Sequence, residues 1–170
     1  MGKTIFVTVG TTLFDKLVSA TTSSAALDWM ASKGYTRLVI QYGRGKEPIL
    51  PQILSIKIET YRFRPTLDED MRAADLIISH AGAGTVMEAM KYQKNLVVVI
   101  NTLLMDNHQT ELANAMGERK HLFVVDSPEK MDDIQTWEQF EKFVPTPYES
   151  GDDKDFSRVL DAFMGFSKAS

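Results

Sequence analysis

A chain of 170 residues with 44% hydrophobic composition has the size of one domain with a well-buried core. It has a net charge of −4 and no cysteine, which excludes disulfides, thiolate metal sites and a cysteine nucleophile. Residues 127–151 hold the acidic excess and no segment is strongly basic, so we expect no nucleic-acid partner. Because no apolar run approaches about 20 residues, we also expect a soluble chain with no direct membrane span.

The hydrophobic pattern predicts strands that alternate with helices as far as residue 125. The predicted strands are 3–9, 37–42, 55–63, 75–79, 95–100 and 121–125. The predicted helices are 14–32, 66–74, a segment after the glycine turn that ends at 93, and 107–118. The second begins with a capping box formed by Thr66 and Glu69. This order predicts the α/β class, with a Rossmann-like parallel sheet and helices on both faces.

Three regions follow from this pattern. Residues 1–126 form one domain, and 127–151 form an acidic, partly irregular connector with a short helix near Trp137. Residues 152–170 form an amphipathic helix, since Phe156, Leu160 and Phe163 share one face. This helix packs on its own domain or on a partner.

The most informative segment is 76–88, where an apolar run enters a glycine turn that opens into a helix. The amides at a helix N-terminus favour an anion, and Gly82 and Gly84 allow the backbone to approach a phosphate. Glu88, about one turn later, is in reach of the ribose of a nucleotide diphosphate. The alternative interpretation is an ordinary strand-to-helix turn in which the glycines serve packing.

Residues with acid–base or metal-binding chemistry are few. His80 is the candidate catalytic group, although a role in orienting the turn is an equal alternative, and the catalytic base stays unknown. Asp68-Glu69-Asp70 and Asp153-Lys154-Asp155 both fit the acidic first turn of a helix. We therefore predict no metal site and no cofactor.

Three motifs carry a resemblance to a known family. They are Phe6 to Thr12 (FVTVGTT), Asp75 to Thr85 (DLIISHAGAGT) and Asn107 to Ala113 (NHQTELA). Together they resemble the catalytic subunits of the two-component UDP-N-acetylglucosamine (UDP-GlcNAc) transferases of eukaryotic N-glycan assembly. More distantly, the chain is similar to the C-terminal half of the bacterial GlcNAc transferase of peptidoglycan synthesis, a GT-B enzyme.

The resemblance implies an activity and a division of labour. GlcNAc passes from UDP-GlcNAc to dolichyl-diphosphate-GlcNAc by inverting, metal-independent transfer. Residues 1–126 correspond to the UDP-sugar-binding half, and a membrane-anchored subunit supplies the acceptor-binding half. The chain is then expected to be cytoplasmic and recruited to the cytosolic face of the endoplasmic reticulum.

The resemblance also implies the donor site. The diphosphate turn corresponds to His80, Ala81, Gly82, Ala83, Gly84 and Thr85, and the first-strand loop facing the phosphates to Gly10, Thr11 and Thr12. Glu88 corresponds to the ribose-binding residue, and Phe63 and Arg64 to positions near the uracil. Gln109 and His108 correspond to positions near the sugar, where the bacterial pattern has two glutamines, so His108 departs from it.

Two other function classes remain open. A stand-alone UDP-sugar-binding regulatory module would use the same motifs without catalysis. A nicotinamide-dependent enzyme would need a dinucleotide fingerprint after the first strand, which Gly10-Thr11-Thr12 does not provide.

Overall fold

The computed structural model describes residues 2–52, 55–101 and 107–148, without the side chains of residues 107–109. Its strands are β1 (Lys3–Thr8), β2 (Tyr35–Gln41), β3 (Lys57–Tyr61), β4 (Leu76–His80), β5 (Asn95–Val99) and β6 (Phe123–Val125). Its α-helices are α1 (Asp15–Thr21), α2 (Ser24–Ser32), α3 (Asp68–Ala73), α4 (Ala83–Lys91), α5 (Asn107–Glu118) and α6 (Ile134–Lys142). A 3₁₀-helix, Pro128–Asp132, precedes α6.

The six strands form one sheet in the order β3-β2-β1-β4-β5-β6, and every neighbouring pair is parallel. Parallel neighbours require crossover connections, and helices lie in those between the other successive strands, whereas the described residues between β2 and β3 form no helix. The order runs outward from β1 in one direction and then from β4 in the other, so the switch point lies between these two strands. The predicted Rossmann-like α/β fold is confirmed.

Alternate residues of each strand feed two apolar layers, one on each face of the sheet. One layer joins Ile5 and Val7 of β1 to α1, α2, the 3₁₀-helix and α6. The other joins Phe6 of β1 to α3, α4 and α5. Strands buried on both faces explain the nearly continuous apolar runs of β4 and β5 in the sequence.

The helix predicted over residues 14–32 is two helices, because α1 ends at Thr21 and α2 begins at Ser24. Hydroxyl groups account for the break. Thr22 donates to the carbonyls of Val18 and Ser19, and the Ser23 hydroxyl accepts from the Ala26 amide as the N-cap of α2. Side chains that bond nearby backbone groups compete with a continuous helix.

The capping box predicted at Thr66 and Glu69 is absent from the described start of α3. Leu67 is the N-cap residue of this helix and no side chain caps it. The Thr66 hydroxyl instead accepts from the amide of Asp68, two residues along. The helix itself is present, from Asp68 to Ala73.

The short helix expected near Trp137 is present as α6, and it packs on the domain. The Trp137 ring is stacked on that of Trp29 with centroids 4.1 Å apart, and its Nε1 donates to the carbonyl of Met131 at 2.7 Å. The helix predicted over residues 152–170 lies outside the described residues. Among the helices that are described, none is long and apolar enough to cross a bilayer.

Candidate functional site

A cleft of about 500 Å³ opens at the carboxyl edge of the sheet, beside the ends of β1 and β4. This is the volume of an ordinary small-molecule site, and its position at the switch point is where open α/β sheets bind ligands. Most of the predicted binding residues line it: Gly10, Thr11, Thr12, Phe63, Arg64, His80, Gly82, Ala83, Gly84, Thr85 and Glu88.

Some lining residues were not predicted, and one predicted residue is not in the lining. Gln41, Pro65, Thr66 and Leu67 also face the cleft. Ala81 does not, because its side chain is buried in the apolar layer beneath α3, α4 and α5. Only the backbone of Ala81 is left to meet a ligand.

The N-terminus of α4 faces the cleft. Gly82 is the N-cap residue and has no side chain to cap the helix, so the amides of Ala83, Gly84 and Thr85 have no partner within it. All three residues line the cleft. The partial positive charge of a helix N-terminus therefore points into the cleft, and this favours an anion without a metal ion.

The glycines of the turn serve different purposes. A Cβ on Gly82 would lie 2.2 Å from His80 Nε2, and a Cβ on Gly10 would lie 2.9 Å from His80 Cε1. Gly10 and Gly82 thus make room for the imidazole ring, rather than for a phosphate as the sequence suggested for Gly82. A Cβ on Gly84 would meet no described atom within 4 Å, so Gly84 leaves open space at the helix N-terminus.

His80 is the last residue of β4, one position beyond the predicted strand, and it is 7% exposed. Burial lowers its pKa to about 4, against a smaller opposing effect of the Thr8 backbone. Its Nδ1 is buried and makes no hydrogen bond to a described residue. The ring lies between two glycines of the turn, and its orienting and catalytic roles both stay predictions.

The loop after β1 turns most of its polar groups inward. Gly10 has φ of 61°, and its amide donates to Oε1 of Gln41 at 3.0 Å. The amide and hydroxyl of Thr12 both donate to the carbonyl of Val9, at 3.2 and 2.8 Å. Thr11 is exposed and makes no hydrogen bond to another described residue. Among these three residues, Thr11 offers the donors that are free to meet a phosphate.

The loop after β3 presents a fixed guanidinium and an exposed ring. Arg64 Nη1 donates to both carboxylate oxygens of Asp70, at 3.1 and 3.0 Å, and its guanidinium lies 3.8 Å from the centre of the Tyr61 ring. The Tyr61 hydroxyl donates to Asp70, and burial together with this carboxylate raises the pKa of Tyr61. Phe63 is 51% exposed. Flat groups of this kind suit a heterocyclic base.

Glu88 shares a hydrogen bond with Asp68, and Asp68 also accepts from the Tyr92 hydroxyl at 2.8 Å. Burial raises the pKa of Glu88, and the hydrogen bond and charge of Asp68 add to this, while Lys91 opposes it. The hydrogen bonds from Tyr92 and Glu88 lower the pKa of Asp68.

The sugar-side prediction lies outside the described residues. Helix α5 begins at Asn107 and connects β5 to β6, so its N-terminus belongs to the carboxyl edge of the sheet. The side chains of His108 and Gln109 are not described. Their assignment to the sugar stays a prediction.

No group of three His, Cys, Asp or Glu side chains in the described residues could hold a metal ion. In Asp68-Glu69-Asp70 the two aspartates have separate partners, Tyr92 and Glu88 for the first and Arg64 and Tyr61 for the second. The second acidic motif, 153–155, lies outside the described part of the chain.

Comparison with known proteins agrees with the motifs. Residues 4–142 match the glycosyltransferase family 28 C-terminal domain. The chain belongs to this family. The resemblance predicted from the three motifs is confirmed, and the chain is a glycosyltransferase family member with a GT-B-like fold.

Two relatives illustrate the similarity. The human UDP-N-acetylglucosamine transferase subunit ALG13 is 46% identical over 124 residues, which cover 71% of this chain and 11% of the human protein. The chain thus spans about a tenth of that relative. The ALG13 subunit of Yarrowia lipolytica is 28% identical over 162 residues, which cover 94% of this chain and 83% of the yeast protein.

Solved structures show the same fold. The NMR structure of an ALG13 superposes with a TM-score of 0.67 at 25% identity, covering 94% of this chain and 96% of that one. Acinetobacter baumannii MurG superposes with a TM-score of 0.61 at 18% identity, covering 85% of this chain and 43% of MurG. The second match shows that the fold of this chain occupies less than half of the MurG chain.

Proposed function

We propose that the chain is the donor-binding, catalytic subunit of a two-polypeptide N-acetylglucosaminyltransferase. It takes GlcNAc from UDP-GlcNAc and transfers it to dolichyl-diphosphate-GlcNAc in N-glycan precursor assembly. The observation that carries the proposal is the uncapped N-terminus of α4 in a cleft that also contains Glu88. Family membership and the printed name of the relatives, a UDP-N-acetylglucosamine transferase subunit, support the donor and the need for a partner.

In this proposal the diphosphate lies against the amides of Ala83, Gly84 and Thr85. Glu88 accepts hydrogen bonds from the ribose, the uracil lies near Phe63 and Arg64, and Gln109 and His108 face the sugar. These are the positions expected from the resemblance. The residues proposed for the diphosphate, the ribose and the uracil line one cleft, which supports these three assignments.

The reaction is an inverting displacement. The acceptor hydroxyl attacks C1 of GlcNAc, the bond from C1 to the diphosphate oxygen breaks, and UDP leaves with the bond's electron pair. Negative charge develops on the diphosphate, where preorganised amide dipoles are most effective. The hydroxyl proton passes to a base on the acceptor-binding half. No metal ion is needed because the helix N-terminus meets the leaving charge.

The partner is a membrane-anchored polypeptide that binds the dolichyl-linked acceptor. This chain is cytoplasmic and joins its partner at the cytosolic face of the endoplasmic reticulum. Residues 1–126 carry the donor site. Residues 127–151, of which 128–142 pack on the sheet, connect it to residues 152–170, which pack on the domain or dock on the partner.

The test measures incorporation of labelled GlcNAc from UDP-GlcNAc into dolichyl-diphosphate-GlcNAc. We expect transfer with the chain plus membranes that contain the partner, none with either alone, and no loss of activity in EDTA. UDP-GlcNAc binding without transfer in any combination would favour the regulatory module. Robust transfer by the purified chain alone would contradict the two-polypeptide proposal.

A further inference from the structure

Gln41 is a buried polar residue at the end of an apolar strand. It is the last residue of β2, it is 1% exposed, and it lines the cleft. The strand lies between β1 and β3 in the sheet, so the Gln41 side chain is placed between the loops that leave both neighbours. A buried amide in such a position needs partners for all of its polar atoms.

Toward β1, the amide binds the first loop through both of its polar atoms. Oε1 accepts from the Thr8 hydroxyl at 2.5 Å, from the Val9 amide at 3.2 Å and from the Gly10 amide at 3.0 Å. Nε2 donates to the Gly10 carbonyl at 2.7 Å. Both backbone polar groups of Gly10 are therefore held by one side chain.

Toward β3, the second N–H of the amide holds the other loop. Nε2 donates to the carbonyl of Arg62 at 2.9 Å. Arg62 directly precedes Phe63 and Arg64, which line the cleft. With two donors and one acceptor oxygen all occupied, the amide has no polar capacity left for a ligand.

We propose that Gln41 is a positioning residue that fixes the first-strand loop and the Phe63–Arg64 loop in one arrangement for the donor. The inference rests on the proposed function, in which these loops meet the phosphates and the uracil. Gln41 does not touch the donor. An apolar replacement would leave the Gly10 amide and the carbonyls of Gly10 and Arg62 without these bonds, and both loops would be released together.

The test uses three variants of the full chain. Gln41→Met keeps the length of the side chain and removes its amide, and Thr8→Val removes a hydroxyl that donates to Gln41 and accepts from the Gly10 amide at 3.2 Å. Leu38→Ala, in the buried centre of the same strand, is a destabilised control that touches neither loop. Calorimetry measures UDP affinity at a temperature where each variant is folded, and hydrogen exchange measures protection of the Gly10 amide without ligand.

We expect Gln41→Met to weaken UDP binding roughly tenfold and Thr8→Val a few-fold, because each substitution removes hydrogen bonds that hold the loop in its binding arrangement. Exchange of the Gly10 amide should accelerate in both, while Leu38→Ala lowers the melting temperature and leaves affinity and Gly10 exchange unchanged. If Gln41→Met does not fold, Thr8→Val decides by UDP affinity and by exchange of the Gly43 amide, whose acceptor is the Arg62 carbonyl that Gln41 also holds.

Two results would overturn the proposal. One is unchanged UDP affinity in a folded Gln41→Met. The other is a loss of UDP affinity in Leu38→Ala as large as that in Gln41→Met, which would show that Gln41 contributes only to the stability of the fold. Failure of the wild-type chain to bind UDP would instead overturn the proposed function. Hydrogen exchange of the Gly10 amide needs no ligand, so it would then still show whether Gln41 fixes the first-strand loop.

Discussion

At the scale of single residues, the cleft separates glycines that look equivalent in the sequence. Gly82 faces the ring of His80, whereas Gly84 faces open space at the first turn of α4. The neutral His80 ring packs against both Gly10 and Gly82 and so joins the loops after β1 and β4. The turn is therefore built from one glycine for packing and one for access.

This difference predicts opposite results for two small substitutions. Gly84→Val should weaken UDP binding at least tenfold, because the side chain fills the space against the helix N-terminus, while the melting temperature is kept. Gly82→Ala should lower stability by about 1–3 kcal/mol, since its Cβ would overlap His80. Calorimetry with UDP and thermal unfolding measure both effects. Equal UDP affinity for Gly84→Val and wild type would refute the phosphate assignment.

The raised pKa of Glu88 predicts a pH dependence of donor binding. The pKa of Glu88 is raised, first by burial and then by Asp68. When the solution is acidified, Glu88 therefore becomes neutral at a higher pH than an ordinary glutamate does. UDP affinity should fall as pH drops through that pKa, because the ribose hydroxyls need an anionic acceptor. Asp68→Asn removes the neighbouring charge and should move the fall to lower pH.

Glu88→Gln isolates the same interaction at neutral pH. Loss of a charged acceptor costs about 1.5–3 kcal/mol, so UDP and UDP-GlcNAc should both bind roughly tenfold or more weakly. Glu69→Gln, an exposed neighbour on α3 that does not line the cleft, is the control. Unchanged UDP affinity in Glu88→Gln would make Glu88 a surface residue of α4.

At the scale of elements, a stacked pair of tryptophans attaches the helices that follow the last strand to the rest of the domain. Helix α6 carries Trp137, which is buried against Trp29 of α2, and Glu141, which accepts from Trp29 Nε1 at 2.7 Å. The 3₁₀-helix before α6 also contributes Met131 to the same apolar layer. These contacts attach residues 128–142 to the face of the sheet that carries α1 and α2.

Trp137→Ala should therefore destabilise the whole domain by about 3–5 kcal/mol, the usual cost of emptying a buried aromatic site. Ile134→Ala, on the same helix but 59% exposed, should change stability by no more than about 0.5 kcal/mol. Urea unfolding measures both. Similar stabilities for the two variants would show that α6 is attached too weakly to matter for the domain.

The sequence predicts the elements well where one periodicity dominates. The apolar runs of β1, β4 and β5 and the glycine turn before α4 placed the cleft at the correct edge of the sheet. The sequence pattern does not predict the break between α1 and α2, where the hydroxyls of Thr22 and Ser23 bond nearby backbone groups. Gln41 was missed because the partners that explain it belong to two other strands, although a glutamine ending the apolar run Leu38-Val39-Ile40 was a usable signal.

At the scale of the whole molecule, parallel order and a single switch point bring distant segments into one site. Residues 10–12, 63–64 and 80–88 meet because β1 and β4 are neighbours in the sheet although 67 residues separate the end of β1 from the start of β4. The cleft is open, and in the proposed function a membrane-anchored subunit covers it with the acceptor. In that proposal, donor binding belongs to this chain and transfer belongs to the pair.

Whether UDP binds in this cleft can be measured by an NMR titration of the labelled chain with UDP. We expect saturable shifts concentrated at the amides of Thr11, Ala83, Gly84 and Thr85 and around Phe63, with little change at α6. UDP-GlcNAc should reproduce them and add shifts near Gln109. Saturable shifts that map away from the carboxyl edge of β1 and β4, or no shifts at millimolar UDP, would show that UDP does not bind in this cleft.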